Sequence, residues 1–223
     1  MLLDFLIPPE CLLCGTTLPH AADCICPLCA AGLQRSGHHR QPDNMMVGRF
    51  AGRFPFRHAA AHFLYSPDAA IATLIHHMKY HGMQSIALRL GRIIGDELRL
   101  TQMLQGVDAI IPVPMHWRKR MSRGYNQAEV LARGISQSTG LPLCNELRAI
   151  RAHKSQTRVD RLTRLHNVDG IFRLRHPERV DGLHLLLIDD VCTTGATLTS
   201  CATSILADAP HATISILTLA AAT

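Results

Sequence analysis

Two periods of apolar residues organise this chain. At Leu185-Leu186-Leu187-Ile188 four apolar residues follow one another without a polar break, and 108–113 is a second short apolar stretch. Such runs mark strands buried on both faces of a parallel sheet. Elsewhere the spacing is helical. Ile86, Leu90, Ile93, Ile94 and Leu98 form one stripe and predict a core-facing helix within 84–104. Further helices are predicted over 68–80, ending near Gly82, over 126–138, stopped by Gly140, and over 196–207. Strands are predicted over 60–65, 108–113, 170–174, 183–188 and 212–220, with another short element at 142–150. Strands alternating with helices make an α/β fold.

With 223 residues the chain can hold one full domain and an appendage. The expected division is a small cysteine-rich module at 1–35, a linker rich in Gly, Pro and polar residues at 36–58, and the α/β domain at 59–223. No stretch approaches the length of a membrane-spanning apolar segment, and residues 1–9 are too short and too acidic for a secretion signal. The cytoplasm is therefore the expected location.

The most informative chemistry follows the run 185–188. Asp189 and Asp190 stand at the carboxyl end of the predicted strand, where open α/β sheets bind ligands. Thr193-Thr194-Gly195-Ala196-Thr197 then leads into a helix. The N–H groups of such a loop, the helix N-terminus and the threonine hydroxyls form a cradle for a phosphate. Carboxylates beside a phosphate cradle suit a sugar phosphate, whose hydroxyls donate to the acids. The segment reads as a grip for ribose 5-phosphate.

Five of the eight cysteines lie in residues 11–29. Cys11-x-x-Cys14 and Cys26-x-x-Cys29 are two knuckles with the spacing of a closed, structural four-sulfur zinc site. A disulfide pair or a redox Cys-x-x-Cys is the alternative, and Cys24 competes with Cys26 as a ligand. Cys144, Cys192 and Cys201 read as small buried hydrophobes.

A formal charge of +6 favours polyanionic partners, and the positive residues concentrate in two segments. The first, 113–127, begins where an apolar strand ends, the place for a second anion site in an open sheet. The second, 148–167, has few large apolar residues and is expected to be mobile. Residues 148–164 also read as a basic helix able to follow a nucleic-acid backbone.

Strand, two acids, aliphatic, x, then Thr-Thr-Gly-x-Thr resembles the phosphoribosyl pyrophosphate (PRPP) signature of type I phosphoribosyltransferases. The cysteine knuckles, Arg-Gly-Tyr-Asn-Gln at 123–127, the 154–168 segment and this signature occur in one order. That order resembles the ComF/GntX family of phosphoribosyltransferase-like proteins over nearly the whole chain. The resemblance implies an open parallel sheet with helices on both faces and a zinc module. It implies PRPP as ligand, with Asp189 and Asp190 on the ribose hydroxyls and helping to place Mg²⁺. Thr193, Thr194, Gly195, Ala196 and Thr197 would hold the 5′-phosphate. Pro114, Met115, His116, Trp117 and Arg118 would form the pyrophosphate loop, and Lys154, Arg158 and Arg161 would belong to a flexible loop that closes over the site. The family is associated with DNA uptake in naturally competent bacteria, so single-stranded DNA and DNA-uptake proteins are expected partners. The acid that many purine-salvage members carry in this loop is replaced here by Thr193. An alternative is a non-catalytic protein that senses PRPP or a nucleotide, or binds single-stranded DNA. Few aromatics accompany the basic segments, only Trp117 and Tyr125, which argues against a base-stacking platform.

Overall fold

The computed structural model describes residues 9–19, 24–150 and 171–223. Its centre is a parallel sheet of β1 (Ala59–Tyr65), β2 (Ala109–Pro112), β5 (His184–Cys192) and β6 (Thr213–Ala222), in the order β1-β6-β5-β2. Leu143 adds one parallel rung beyond β2, through Ile110. A separate antiparallel pair, β3 (Leu147–Ala149) and β4 (Phe172–Leu174), stands beside this sheet.

Helices cover both faces, as the unbroken apolar runs require. Ile110, Leu186, Ile188, Leu217 and Leu219 pack toward α3 (Ala70–Tyr80), α4 (Gln84–Leu98) and α6 (Gln127–Thr139). Ile111, Leu185, Leu187, Ile214 and Ile216 pack on the other face with α2 (Met45–Phe50), α7 (Ala196–Asp208) and the β3–β4 pair. Successive residues of a strand point to opposite faces, so β5 feeds both cores and all four residues 185–188 are fully buried. This is an α/β architecture, an open parallel sheet with helices on both faces, with a cysteine-rich N-terminal module.

Several boundaries differ from the sequence expectation. The helix expected over 84–104 ends at Leu98, and a separate 3₁₀ turn occupies Gln102–Leu104. The strand expected over 183–188 continues through both acids to Cys192, because β6 keeps pairing with it as far as Ala221. The segment expected as a linker, 36–58, carries a 3₁₀ turn at His38–Arg40 and then α2. Asn44 caps α2 by accepting from the N–H groups of Met46 and Val47, and Met46 and Phe50 are fully buried. Lys154, Arg158 and Arg161 lie outside the described residues.

The N-terminal module continues the main core. Cys11, Leu18, Ile25 and Leu33 are buried in the same cluster as α3 and α4. Beyond α1 (Pro27–Gly32), residues 34–36 run beside β1, with Ser36 N–H donating to His62 O and Leu64 N–H to Gln34 O. Arg35 reaches Glu97 on α4 with Nη2 at 2.6 Å from Oε1, and buried His62 Nε2 lies 3.1 Å from Glu97 Oε2.

The close approach of His62 and then the hydrogen bonds from Arg35 hold the Glu97 carboxyl down to about 2, against the opposing effect of burial. A carboxylate held below its unfolded value of about 4.3 contributes stability that is complete above that value and is lost as pH falls toward the folded one. Acid titration should therefore remove about 1 to 2 kcal/mol between roughly pH 5 and pH 2, after discounting for solvent screening. Glu97→Gln should flatten that part of the stability–pH curve, measured by urea unfolding.

The tightest packing lies between α4 and α6. A Cβ on Gly134 would sit 2.3 Å from Leu88 O, and one on Gly91 2.3 Å from Leu131 O. Both contacts are to backbone, which cannot move aside as a flexible side chain can. Gly134→Ala should cost at least about 2 kcal/mol of unfolding free energy, seen as a lower urea midpoint.

Candidate ligand site and metal centre

Both acids are on β5, one to each side of the sheet. Asp189 lines a surface recess together with Val191, Cys192, Thr193, Thr194, Gly195, Ala196, Thr197 and Leu198. Its Oδ1 accepts from Asp190 N–H at 2.8 Å. Burial, and then the neighbouring charge of Asp190, pushes the Asp189 carboxyl well above the usual carboxylate range, while the N–H of Asp190 and Lys79 act the other way. Asp190 belongs to the opposite face. Its Oδ1 accepts from Val191 N–H at 2.6 Å, and its Oδ2 lies 3.0 Å from Lys79 Nζ on α3.

The loop from Thr193 turns into α7 at Gly195, whose φ of 78° is left-handed backbone that favours glycine. The turn is also sterically closed to larger residues, since a Cβ there would lie 2.7 Å from Phe50 Cε1. The segment 45–56 backs the loop. Arg49 donates to Cys192 O at 3.0 Å and to Ala222 O at 2.8 Å, and Arg53 donates to Thr194 O at 3.0 Å. These arginines hold loop carbonyls from outside, and Phe50, Phe54 and Phe56 pack together beneath them.

The first basic segment leaves β2 next to these acids. Val113 N–H donates to Ile188 O, so Pro114 and Met115 begin one strand away from Asp189. His116 then caps α5 (Trp117–Arg123) by accepting from Arg118 N–H, and the Arg118 guanidinium lies over the Trp117 ring, 5.3 Å from its centroid. Trp117 and Met121 are 58% and 77% exposed.

The Arg-Gly-Tyr-Asn-Gln motif is mostly internal. Tyr125, Asn126 and Gln127 are buried. Asn126 caps α6 and its amide donates to Val113 O at 3.0 Å. Tyr125 Oη donates to Met78 O at 2.7 Å and Gln127 Nε2 to the same carbonyl at 3.4 Å. Burial raises the Tyr125 hydroxyl to about 12, so it remains a donor at neutral pH.

Lys79, Arg49 and Arg53 were not among the residues expected at the site. Lys79 is a lone cation on an amphipathic helix, and Arg49 and Arg53 lie in a Gly- and Pro-containing stretch. Neither context announces a contact more than a hundred residues away.

The cysteines converge. The sulfurs of Cys11, Cys14, Cys26 and Cys29 all lie within 4.8 Å of one another, with Cys14 and Cys26 at 3.8 Å. A tetrahedral site with metal–sulfur bonds of about 2.3 Å spaces its sulfurs by roughly 3.8 Å, so the four residues fit such an ion. The N–H groups of Cys26 and Cys29 point at Cys11 Sγ and Cys26 Sγ, at 3.3 and 3.4 Å. Against burial, backbone donors led by Cys26 hold the Cys11 thiol down to about 6, whereas the neighbouring thiols of Cys14 and Cys26 push Cys29 up to about 12. Four thiolates this close repel, and a divalent cation removes the conflict. Cys24 is buried and is not part of the cluster, so the competing-ligand alternative is not the one adopted.

No family model matches the chain. The chain is 26% identical to the DNA utilization protein YhgH of Salmonella typhi over 215 residues, 90% of this chain and 92% of that protein. Competence protein F of Haemophilus influenzae is 31% identical over 137 residues, 57% and 58% of the two chains. The chain is thus similar to DNA utilization and competence proteins of the ComF type. Among solved structures, the glutamine PRPP amidotransferase of B. subtilis matches this chain with TM-score 0.40 and 16% identity, over 68% of this chain and 28% of that one. No helix among the described residues is long and apolar enough to cross a membrane.

Replacing Cys26 by Ala should abolish binding of one metal equivalent and lower the thermal midpoint, whereas Cys24→Ala should leave the metal stoichiometry at one. Metal analysis of the purified proteins, with calorimetric titration after chelation, checks both.

Proposed function

We propose that this chain is a ComF-like protein that binds PRPP and acts as a phosphoribosyltransferase-type protein serving DNA uptake or utilization. The observation that carries the reading is the recess in which Asp189 and the Thr193–Thr197 loop meet at the carboxyl end of β5. The loop offers N–H and hydroxyl donors to the 5′-phosphate, and Asp189 and Asp190 offer acceptors to the ribose hydroxyls. Pro114 to Arg118, next to these acids across β2, offer a second anion site for pyrophosphate. Mg²⁺ bound with the substrate would neutralise the pyrophosphate as it departs, near the two carboxylates. Zn²⁺ in the four-cysteine site has a structural part, since a closed site leaves no position for substrate.

In the reaction, the bond from ribose C1 to the pyrophosphate oxygen breaks with its electron pair leaving on pyrophosphate. An acceptor nucleophile supplies the new bond to C1. The protein contributes orientation of C1 and electrostatic stabilisation of the leaving group. The link to DNA comes from the relatives' names, DNA utilization protein and competence protein F.

A second reading rests on α5, which exposes Trp117 and Met121 beside Arg118, Lys119, Arg120 and Arg123. That surface favours a protein that holds PRPP or a nucleotide as a signal and contacts single-stranded DNA.

Incubation of metal-loaded protein with PRPP and Mg²⁺, with and without candidate bases and single-stranded DNA, separates the two. Acceptor-dependent pyrophosphate release, lost in Asp190→Asn, is the expected result. PRPP binding without release would move the function to the second reading, and no PRPP binding would overturn the first.

A further inference from the structure

Lys79 and Asp190 form the ion pair that connects the α3 face of the sheet to the candidate site, at 3.0 Å. The pair is unlike an ordinary surface contact. Its side chains are 19% and 15% exposed, and each partner is fixed by a second set of interactions. Asp190 lies on β5, and the bond from Val191 N–H to its Oδ1 leaves Oδ2 to Lys79. Both oxygens are thus tied on one side each, and the carboxylate plane is set while lone pairs remain for a ligand hydroxyl.

Lys79 is held just as closely. It follows Met78, a fully buried residue in the last turn of α3. The carbonyls of a last helical turn have no partner within the helix. That of Met78 accepts instead from Tyr125 Oη and Gln127 Nε2. The same motif grips β2 through Asn126, whose amide donates to Val113 O. One short segment, 125–127, therefore fixes the end of α3 against the strand that neighbours β5.

We propose that Lys79 is a positioning residue for Asp190, setting the carboxylate that receives the ribose hydroxyls, with Tyr125 and Gln127 holding Lys79 in register. This rests on the ribose-phosphate reading of the site. It gives the Arg-Gly-Tyr-Asn-Gln motif a part in ligand binding without any contact to ligand. Lys79 acts through Asp190 and so affects any ligand with the ribose hydroxyls, whether or not it carries pyrophosphate.

Calorimetric titration of the full metal-loaded chain with ribose 5-phosphate, and separately with PRPP and Mg²⁺, tests it. Lys79→Met should weaken both ligands by a similar factor, on the order of tenfold, the scale of one charged hydrogen bond. Lys79→Arg should recover most of the loss, and Tyr125→Phe should show a smaller loss on both ligands. Lys79→Met combined with Asp190→Asn should bind no worse than Asp190→Asn alone, because a residue acting through Asp190 has nothing further to remove. Additive losses would overturn the proposal. So would a loss confined to PRPP, which would make Lys79 a pyrophosphate ligand, or unchanged binding in Lys79→Met. Should Lys79→Met fail to fold, Lys79→Gln carries the same comparison. Wild-type protein that binds neither ligand would overturn the ribose-phosphate reading and this role together, whereas wild-type binding that survives Lys79→Met would overturn this role alone.

Discussion

Burial of β5 on both faces is the constraint on which the rest of the molecule depends. A strand packed on each side must alternate its side chains between two cores, and that alternation does not stop where the apolar residues do. It carries on through Asp189 and Asp190, sending one carboxylate to the Thr193–Thr197 loop and the other to α3. Two adjacent acids repel, and the charge of Asp190 adds to burial in raising the Asp189 carboxyl. Placed across the strand from each other, they acquire different partners: Asp189 the N–H of its neighbour, Asp190 an ammonium group.

The parts of this arrangement carried by local pattern were legible in the sequence. Residues 185–188 announced a doubly buried strand, the 86–98 stripe a core helix, and the cysteine spacing a four-sulfur cluster. Thr193 to Thr197 were correctly placed at the junction of strand and helix. What remained hidden was long-range. Lys79 has the appearance of a solvated lysine until α3 is docked against β5. The stretch 36–58 has the composition of a connection, yet Met46 and Phe50 are fully buried in it. Composition reports average polarity, and two large apolar residues a helical turn apart are enough to anchor an otherwise polar segment.

Boundary errors had a related cause. Apolarity ended at Ile188 and so did the expected strand, but hydrogen bonding to β6 is indifferent to side-chain charge and continued to Cys192. Conversely, the helix expected to reach 104 stopped at Leu98, where Thr101 Oγ1 donates to Leu98 O and redirects the chain. Side-chain competition for backbone groups is a local effect that hydrophobic periodicity does not report.

The contacts of Arg49 bear on the order in which the molecule can be assembled. Its guanidinium joins carbonyls 143 and 173 residues further along the chain, at Cys192 and Ala222. Contacts of such sequence separation carry the largest loop-closure cost and are the slow ones to form. On a ribosome the cysteine-rich module, α3, α4 and α6 emerge while the outer brace of the 193–197 loop still lacks its last anchor. The loop therefore gains its complete brace only after β6 has been synthesised and paired.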